Sequence, residues 1–201
     1  WMVKDVLSMN KKTLSLTPEQ FSEIIQVIQR GFLNHRPAPH IAACLVLEAN
    51  LGLRISDIAG KLRLSDIIQD GGRYRLNIAE QKTGKERVFT VPVAIYLYMQ
   101  RYCIEQGIGS KEIMFPISIR AVQQRLQDAC DYLGLEGIGT HSFRKFFATQ
   151  IYQNNGYDIA LVQTLLQHSS PAITQRYIGI EPQRIEAALE THIRLPQTAE
   201  S

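Results

Sequence analysis

No stretch of this sequence stays apolar for the ~18 residues that a membrane-spanning helix needs, and the opening WMVKDVLSMNKK lacks the apolar core of an export signal. Neither anchoring nor secretion is indicated, and a cytoplasmic protein is expected. Cysteine is scarce: Cys44, Cys103 and Cys130 are odd in number, far apart and set among apolar helical residues. Neither a disulfide framework nor a zinc site is indicated, and buried thiols are predicted. The chain also lacks a clustered set of carboxylates for paired metals and a phosphate-binding Gly-x-x-x-x-Gly-Lys loop. Metal-dependent nuclease and nucleotide hydrolase chemistry therefore has little to stand on, and no metal or cofactor is expected. Charge imbalance is small, at +3 with pI near 8.8. It permits nucleic-acid binding without requiring it, so local patterning has to decide.

What is present is an ordinary globular composition, 45% hydrophobic and 20% charged over 201 residues, enough for one sizeable core. The periodicity predicts a mainly α protein with one small antiparallel three-stranded β-sheet. Thr17, Pro18 and Gln20 spell a capping box and helix start, followed by Phe21, Ile24, Ile25 and Ile28 on one face. A second, apolar helix is expected over 39–50, and a short third one just after Arg54. The period then shortens through LSDIIQDGGRYRLNIAEQKTGKERVFTVP, whose breaks at Gly71-Gly72 and Thr83-Gly84 predict a three-stranded meander. Helices are expected again over 93–106, 118–133, 142–154 and 158–167, then an amphipathic tail over 182–193. Expected boundaries are a leader over 1–15, one domain over 16–181 and a tail over 182–201.

The chemistry-bearing residues concentrate in THSFRKFFATQIY, residues 140–152, and LLQHSSPAITQRYIG, residues 165–179. Polar aromatics and guanidinium groups cost free energy to bury unpaired, so a run of them among apolar helical residues calls for a partner, and phosphate suits them. Upstream, Arg54 stands at a Gly-Leu-Arg turn with Asp57 one helical turn later, close enough for the carboxylate to hold the guanidinium or its neighbours in place. Lys82 stands at the predicted hairpin tip, where a long cation could swing over a ligand. Two arginines, Arg54 and Arg144, could clamp the nonbridging oxygens of a phosphodiester and stabilise a pentacoordinate transition state. His141 and His168 could donate hydrogen bonds or move protons near neutral pH. The hydroxyl of Tyr177 becomes a competent nucleophile where cations favour its phenolate. Together they suit phosphoryl transfer without metal.

The segments GLRISD, QKTGKERVFTVP, HSFRKFFAT and LLQHSSPAITQRYIG resemble, in order and spacing, the catalytic motifs of the tyrosine recombinase (phage integrase) family. The resemblance covers roughly residues 16–195. It implies the catalytic-domain fold of that family, with Arg54, Lys82, His141, Arg144, His168 and Tyr177 as the catalytic set and Asp57 in support. It further implies cleavage of one strand of double-stranded DNA, a 3′-phosphotyrosine intermediate, a released 5′-hydroxyl and attack by a partner strand, with no ATP. Lys85, Arg87 and Lys145 join Arg54, Lys82 and Arg144 as expected DNA contacts. A homo-tetramer on DNA with tails exchanged between protomers, and a monomer without DNA, are expected. Most members carry an N-terminal helical domain that clamps the other face of the DNA. Nothing before Thr17 is long enough for it, so either a catalytic fragment or a short stand-alone member is expected, and the Trp preceding Met2 favours the fragment.

Each residue has a plainer reading. Arg54 and Asp57 could form a surface ion pair, Lys82 a solvated turn with Lys85 its rival, His141 an idle helix-start residue, and His168 a C-cap. Tyr177 could be a core aromatic, the fate expected for Tyr152 and Tyr157. Their joint order argues against so many coincidences. Two rivals remain at this stage. Residues 141–170 also outline a helix-turn-helix regulator, which would leave Arg54, Lys82 and Tyr177 idle. A type IB topoisomerase would use a similar residue set to relax DNA without exchanging partners.

Overall fold

The computed structural model describes residues 13–79 and 86–166, together with Ile173, Thr174 and Ile178. Helix α1, Pro18–Arg30, begins as the sequence dictates. Thr17 Oγ1 accepts from the Gln20 amide at 3.2 Å, and Gln20 Oε1 accepts from the Thr17 amide at 3.0 Å. Ile24, Ile25 and Ile28 turn its inner face into the core. Helix α2, Pro39–Leu51, has no polar stripe because it runs through the middle: Ile41 through Leu45, Leu47, Glu48, Ala49 and Leu51 are all buried. A helix apolar all round is what a central position requires. It packs against α1, against the short α3 (Ile55–Ile58), and against two later helices, α4 (Val93–Gln106) and α6 (Thr140–Asn154).

Between α3 and α4 lies the predicted meander, β1 (Ile67–Asp70), β2 (Arg73–Ala79) and β3 (Glu86–Val91), paired antiparallel in the order β1-β2-β3. Gly71 and Gly72, at φ +55° and +78°, make the two-residue turn that joins β1 to β2, a conformation open to glycine at little cost. Register puts Ile67, Leu76 and Phe89 in one row across the sheet, all three buried. Tyr74 stacks on Tyr96 of α4 at 4.0 Å between ring centroids and ties the sheet to the helical layer. The residues joining β2 to β3 lie outside the described ones, and Lys82 and Lys85 with them.

Helix α5, Ile119–Leu133, is capped by Ser118 Oγ, which accepts from the Ala121 amide at 3.1 Å. Helix α6 begins at Thr140 where the sequence suggested 142, since Ser142 Oγ accepts from the Gly139 amide at 3.1 Å and extends the first turn backward. Phe21 of α1 stacks on Phe146 of α6 at 5.2 Å, while Phe143, fully buried, meets the Phe21 ring edge-on. Helix α7, Ile159–Leu166, starts where Asp158 Oδ1 accepts from the Leu161 amide at 3.0 Å. A second small core forms where Phe147 and Ala148 of α6 meet Val162 and Leu166 of α7, and Ile178 packs onto it. The three cysteines are buried free thiols as predicted. Tyr157 departs from prediction: it takes φ +63° in the turn before α7 and is 46% exposed. Its ring meets Tyr152, which packs on the α6–α7 cluster as expected, edge-on at 5.3 Å.

Candidate active site

Two structural devices position the site. The first is the end of α2. Gly52 closes that helix at φ +62° and donates its amide to the Glu48 carbonyl at 3.1 Å, which turns the chain sharply into α3. A Cβ at Gly52 would lie 2.6 Å from two ring atoms of Phe147, so both the backbone angle and the space demand glycine. Leu53 then anchors in the core, and Arg54, in extended conformation, becomes the N-cap residue of α3 with its side chain partly accessible. The Asp57 amide donates to the Arg54 carbonyl at 2.8 Å, closing the first turn of α3. The Asp57 side chain is buried.

The second device is the first turn of α6, which sets His141 and Arg144 three residues apart and hence on neighbouring positions of one helix face. Arg144 is 1% exposed. Its Nη1 donates to the Gly52 carbonyl and its Nη2 to the Leu166 carbonyl, the latter at 3.1 Å. One guanidinium therefore ties the α2–α3 turn, α6 and the end of α7 together. His141 keeps exposed surface, yet its imidazole is held below the usual histidine range, first by partial burial and then by the charges of Arg144, Lys145 and Arg54. The neutral imidazole, able both to donate and to accept a hydrogen bond, predominates at neutral pH. That Arg54 acts on His141 brings residues almost ninety positions apart into one site. Lys145, expected to touch DNA, donates from Nζ to the Thr13 carbonyl and so joins α6 to the segment leading into α1.

Of the expected set, Arg54, His141 and Arg144 converge, and Asp57 is buried one helical turn after Arg54. Lys82, Lys85, His168 and Tyr177 lie outside the described residues, although Ile178, next to Tyr177, packs on the α6–α7 cluster. Arg87 belongs to β3, paired with Ile78. Sequence reasoning missed Glu48. It is fully buried on α2, and its carboxyl is pushed well above the usual range, by burial foremost, against the opposing pull of Arg144. A lone acid inside the apolar run AACLVLEANL was the available signal.

The sequence model of the phage integrase family matches residues 15–184. The probable integrase/recombinase YoeC of Bacillus subtilis is 33% identical over 178 residues, covering 85% of this chain and 93% of that protein. Tyrosine recombinase XerA of Pyrococcus furiosus is 27% identical over 189 residues, covering 89% of this chain and 62% of its own length. Among solved structures, the XerH site-specific recombinase in a post-cleavage complex with its difH substrate superposes with TM-score 0.69 at 21% identity, covering 94% of this chain and 55% of that one. The catalytic domain of bacteriophage HP1 integrase gives 0.64 at 17% identity, covering 89% and 95%. The structural likenesses establish the fold, that of a recombinase catalytic domain. Together with the extent of the sequence match, they make this chain a member of the phage integrase family, the tyrosine recombinases.

Proposed function

We propose that this tyrosine recombinase cleaves and rejoins double-stranded DNA at a specific site, with Tyr177 as nucleophile. The observation that carries this reading is the convergence of Arg54, His141 and Arg144 from the α2–α3 turn and α6, in a chain whose remaining motifs follow in the family's order. The tyrosine oxygen attacks the scissile phosphorus and forms the 3′-phosphotyrosine bond as the bond to the 5′-oxygen breaks. Arg54 and Arg144 neutralise the nonbridging oxygens, where charge builds up in the transition state. His141 and His168 serve proton transfer and hydrogen bonding to the phosphate, the neutral imidazole of His141 being suited to both. Lys82 protonates the departing 5′-oxygen, with Lys85 on the same segment its rival. Attack by the 5′-hydroxyl of a partner strand reverses the chemistry and completes exchange. The ester conserves the bond energy, so no nucleotide is consumed.

Residues 16–181 constitute the catalytic domain in this reading, with 1–15 a leader and 182–201 a tail that docks on a neighbouring protomer in a DNA-bound tetramer. Without DNA the chain is a monomer, and it works in the cytoplasm on a mobile element or replicon. The rival regulator reading is disfavoured because it would leave Arg54, Lys82 and Tyr177 idle, and because α6 is tied through Arg144 to the α2–α3 turn and the end of α7. The deciding experiment is Tyr177→Phe on nicked duplexes with a randomised half-site. The wild type is expected to form a covalent adduct that survives denaturing electrophoresis, and the variant to bind DNA without forming one. An adduct that persists in the variant, or maps to Tyr152 or Tyr157, overturns the assignment.

A further inference from the structure

We propose that Glu48 is a positioning residue for strand cleavage: its carboxyl, buried on α2 where that helix packs against α6 and α3, fixes the angle at which the Arg144 guanidinium faces the phosphate. This rests on the recombinase reading above. Glu48 is the one charged residue of α2, in the midst of a helix buried on every side. A carboxyl group there is costly, and an apolar side chain of similar size is often the more stable occupant of such a place. Yet Glu48 is 0% exposed, and neither Oε1 nor Oε2 has a hydrogen-bond partner of normal geometry among the described residues.

Its surroundings point to Arg144. The charged and titratable groups acting on it are Arg144 from α6, attractive, Asp57 from α3, repulsive, and Cys44 one turn earlier on α2. The Ile55 amide at the start of α3 also favours its ionised form without closing a bond of normal geometry. Glu48 reaches Arg144 by a second route as well. Its carbonyl accepts from Gly52, and the Gly52 carbonyl accepts from Arg144 Nη1. Backbone and side chain of one residue thus bear on the seat of one guanidinium. Arginine carries its donors in a rigid fork, so a small rotation changes which of them meet a phosphate.

The test compares wild type, Glu48→Gln and Glu48→Leu on the nicked duplexes that wild type captures from the randomised pool, at saturating DNA. Adduct formation is followed in single turnover across pH, together with thermal unfolding and the Nε–H resonance of Arg144 in 15N-arginine-labelled protein. Glu48→Leu is expected to unfold at or above the wild-type temperature and to bind the duplex equally, while cleaving more slowly by on the order of 10²-fold, as for a misplaced reacting group. Glu48→Gln is expected to lack a pH step that wild type shows, and both variants to shift the Arg144 resonance. Wild-type cleavage with an unmoved resonance in either variant overturns the proposal. Failure of both variants to fold also overturns it, since the carboxyl would then serve the core alone. No adduct from wild type itself would instead overturn the recombinase reading, leaving the Arg144 resonance to decide whether Glu48 acts on that guanidinium.

Discussion

Arg144 and Arg75 carry the same guanidinium in opposite settings. Arg144 sits at the junction of α2, α6 and α7, almost wholly buried, with backbone carbonyls of Gly52 and Leu166 as acceptors. Arg75 lies on the outer face of β2, its side chain 47% exposed, paired at 3.1 Å with Asp70 across the turn from β1. Carbonyl dipoles orient the Arg144 guanidinium without cancelling its positive charge. The pairing of Arg75 is a solvated one, screened and readily exchanged. The core is therefore built to aim a charge, whereas the sheet only presents one.

The largest effect that would break this contrast is expected from Arg144→Ala. Removing one preorganised donor from a charge-stabilising site costs about 10²–10³-fold in rate, and a two-pronged arginine should cost at least that much. The buried carbonyls of Gly52 and Leu166 would each lose a donor, at about 1–3 kcal/mol apiece, so thermal unfolding should also fall. Arg144→Lys restores the charge without the fork and should recover stability better than cleavage. The checks are single-turnover adduct formation and calorimetry on the same preparations. If lysine restores the cleavage rate fully, charge alone suffices and the orienting role of the carbonyls is wrong.

Much of this frame was legible beforehand because its signals are local. Thr17-Pro18-x-Gln20 announced α1, the Gly-Gly pair announced the first hairpin, and the motif spacing singled out Arg54, His141 and Arg144. What escaped depends on contacts distant in sequence. Nothing in HSFRK says that Arg144 will be buried, because its acceptors are main-chain carbonyls at Gly52 and Leu166, which have no side-chain signature. Glu48 was hidden for a related reason: periodicity marks α2 as buried, and the eye passes over a single acid within it. The start of α6 was misplaced by two residues although Gly139-x-x-Ser142 offered the back-bonding serine. The short 3-10 turn Leu64–Asp66 went unforeseen too; Asp66 accepts from the Arg63 amide at 2.8 Å and bends the chain into β1. Tyr157 misled because an aromatic beside an apolar helix reads as core, whereas its left-handed backbone turns it outward.

A smaller loss is expected from Gly52→Ala, which removes none of the side chains proposed to act in catalysis and disturbs only the seat of Arg144. The left-handed backbone angle costs alanine roughly 1–2 kcal/mol. The methyl would also press on the Phe147 ring at 2.6 Å and on Leu166 at 3.1 Å, and forced overpacking typically adds about 1–3 kcal/mol. Cleavage should fall together with stability as the Gly52 carbonyl shifts from Arg144 Nη1. Adding Phe147→Leu makes room for the methyl and should return part of the stability, leaving the backbone component. A Gly52→Ala protein with wild-type unfolding and wild-type cleavage would show that the turn does not govern the arginine.

The smallest effect belongs to Arg75→Ala, and its value lies in separating charge that is aimed from charge that is merely presented. An exposed ion pair such as Arg75–Asp70 typically contributes about 0–1 kcal/mol, so thermal unfolding should hardly move. Cleavage at saturating DNA should be unchanged, because Arg75 lies on the outer face of the sheet in a pair with Asp70. DNA affinity is where the substitution should register. Lys61, Arg63, Arg73 and Arg75 expose a run of cations along the sheet and the loop before it. If Arg75 neutralises one phosphate, its removal releases one counterion fewer, and the slope of log affinity against log salt concentration should become shallower by about one. The measurement is a salt titration of binding to a nonspecific duplex, wild type beside variant. Asp70→Asn, which releases Arg75 from its partner, should act in the opposite sense and tighten binding at low salt. An unchanged slope in both variants would remove the outer face of the sheet from the DNA footprint and leave the site's own arginines, with the segment carrying Lys82 and Lys85, as the DNA-binding cations of this region.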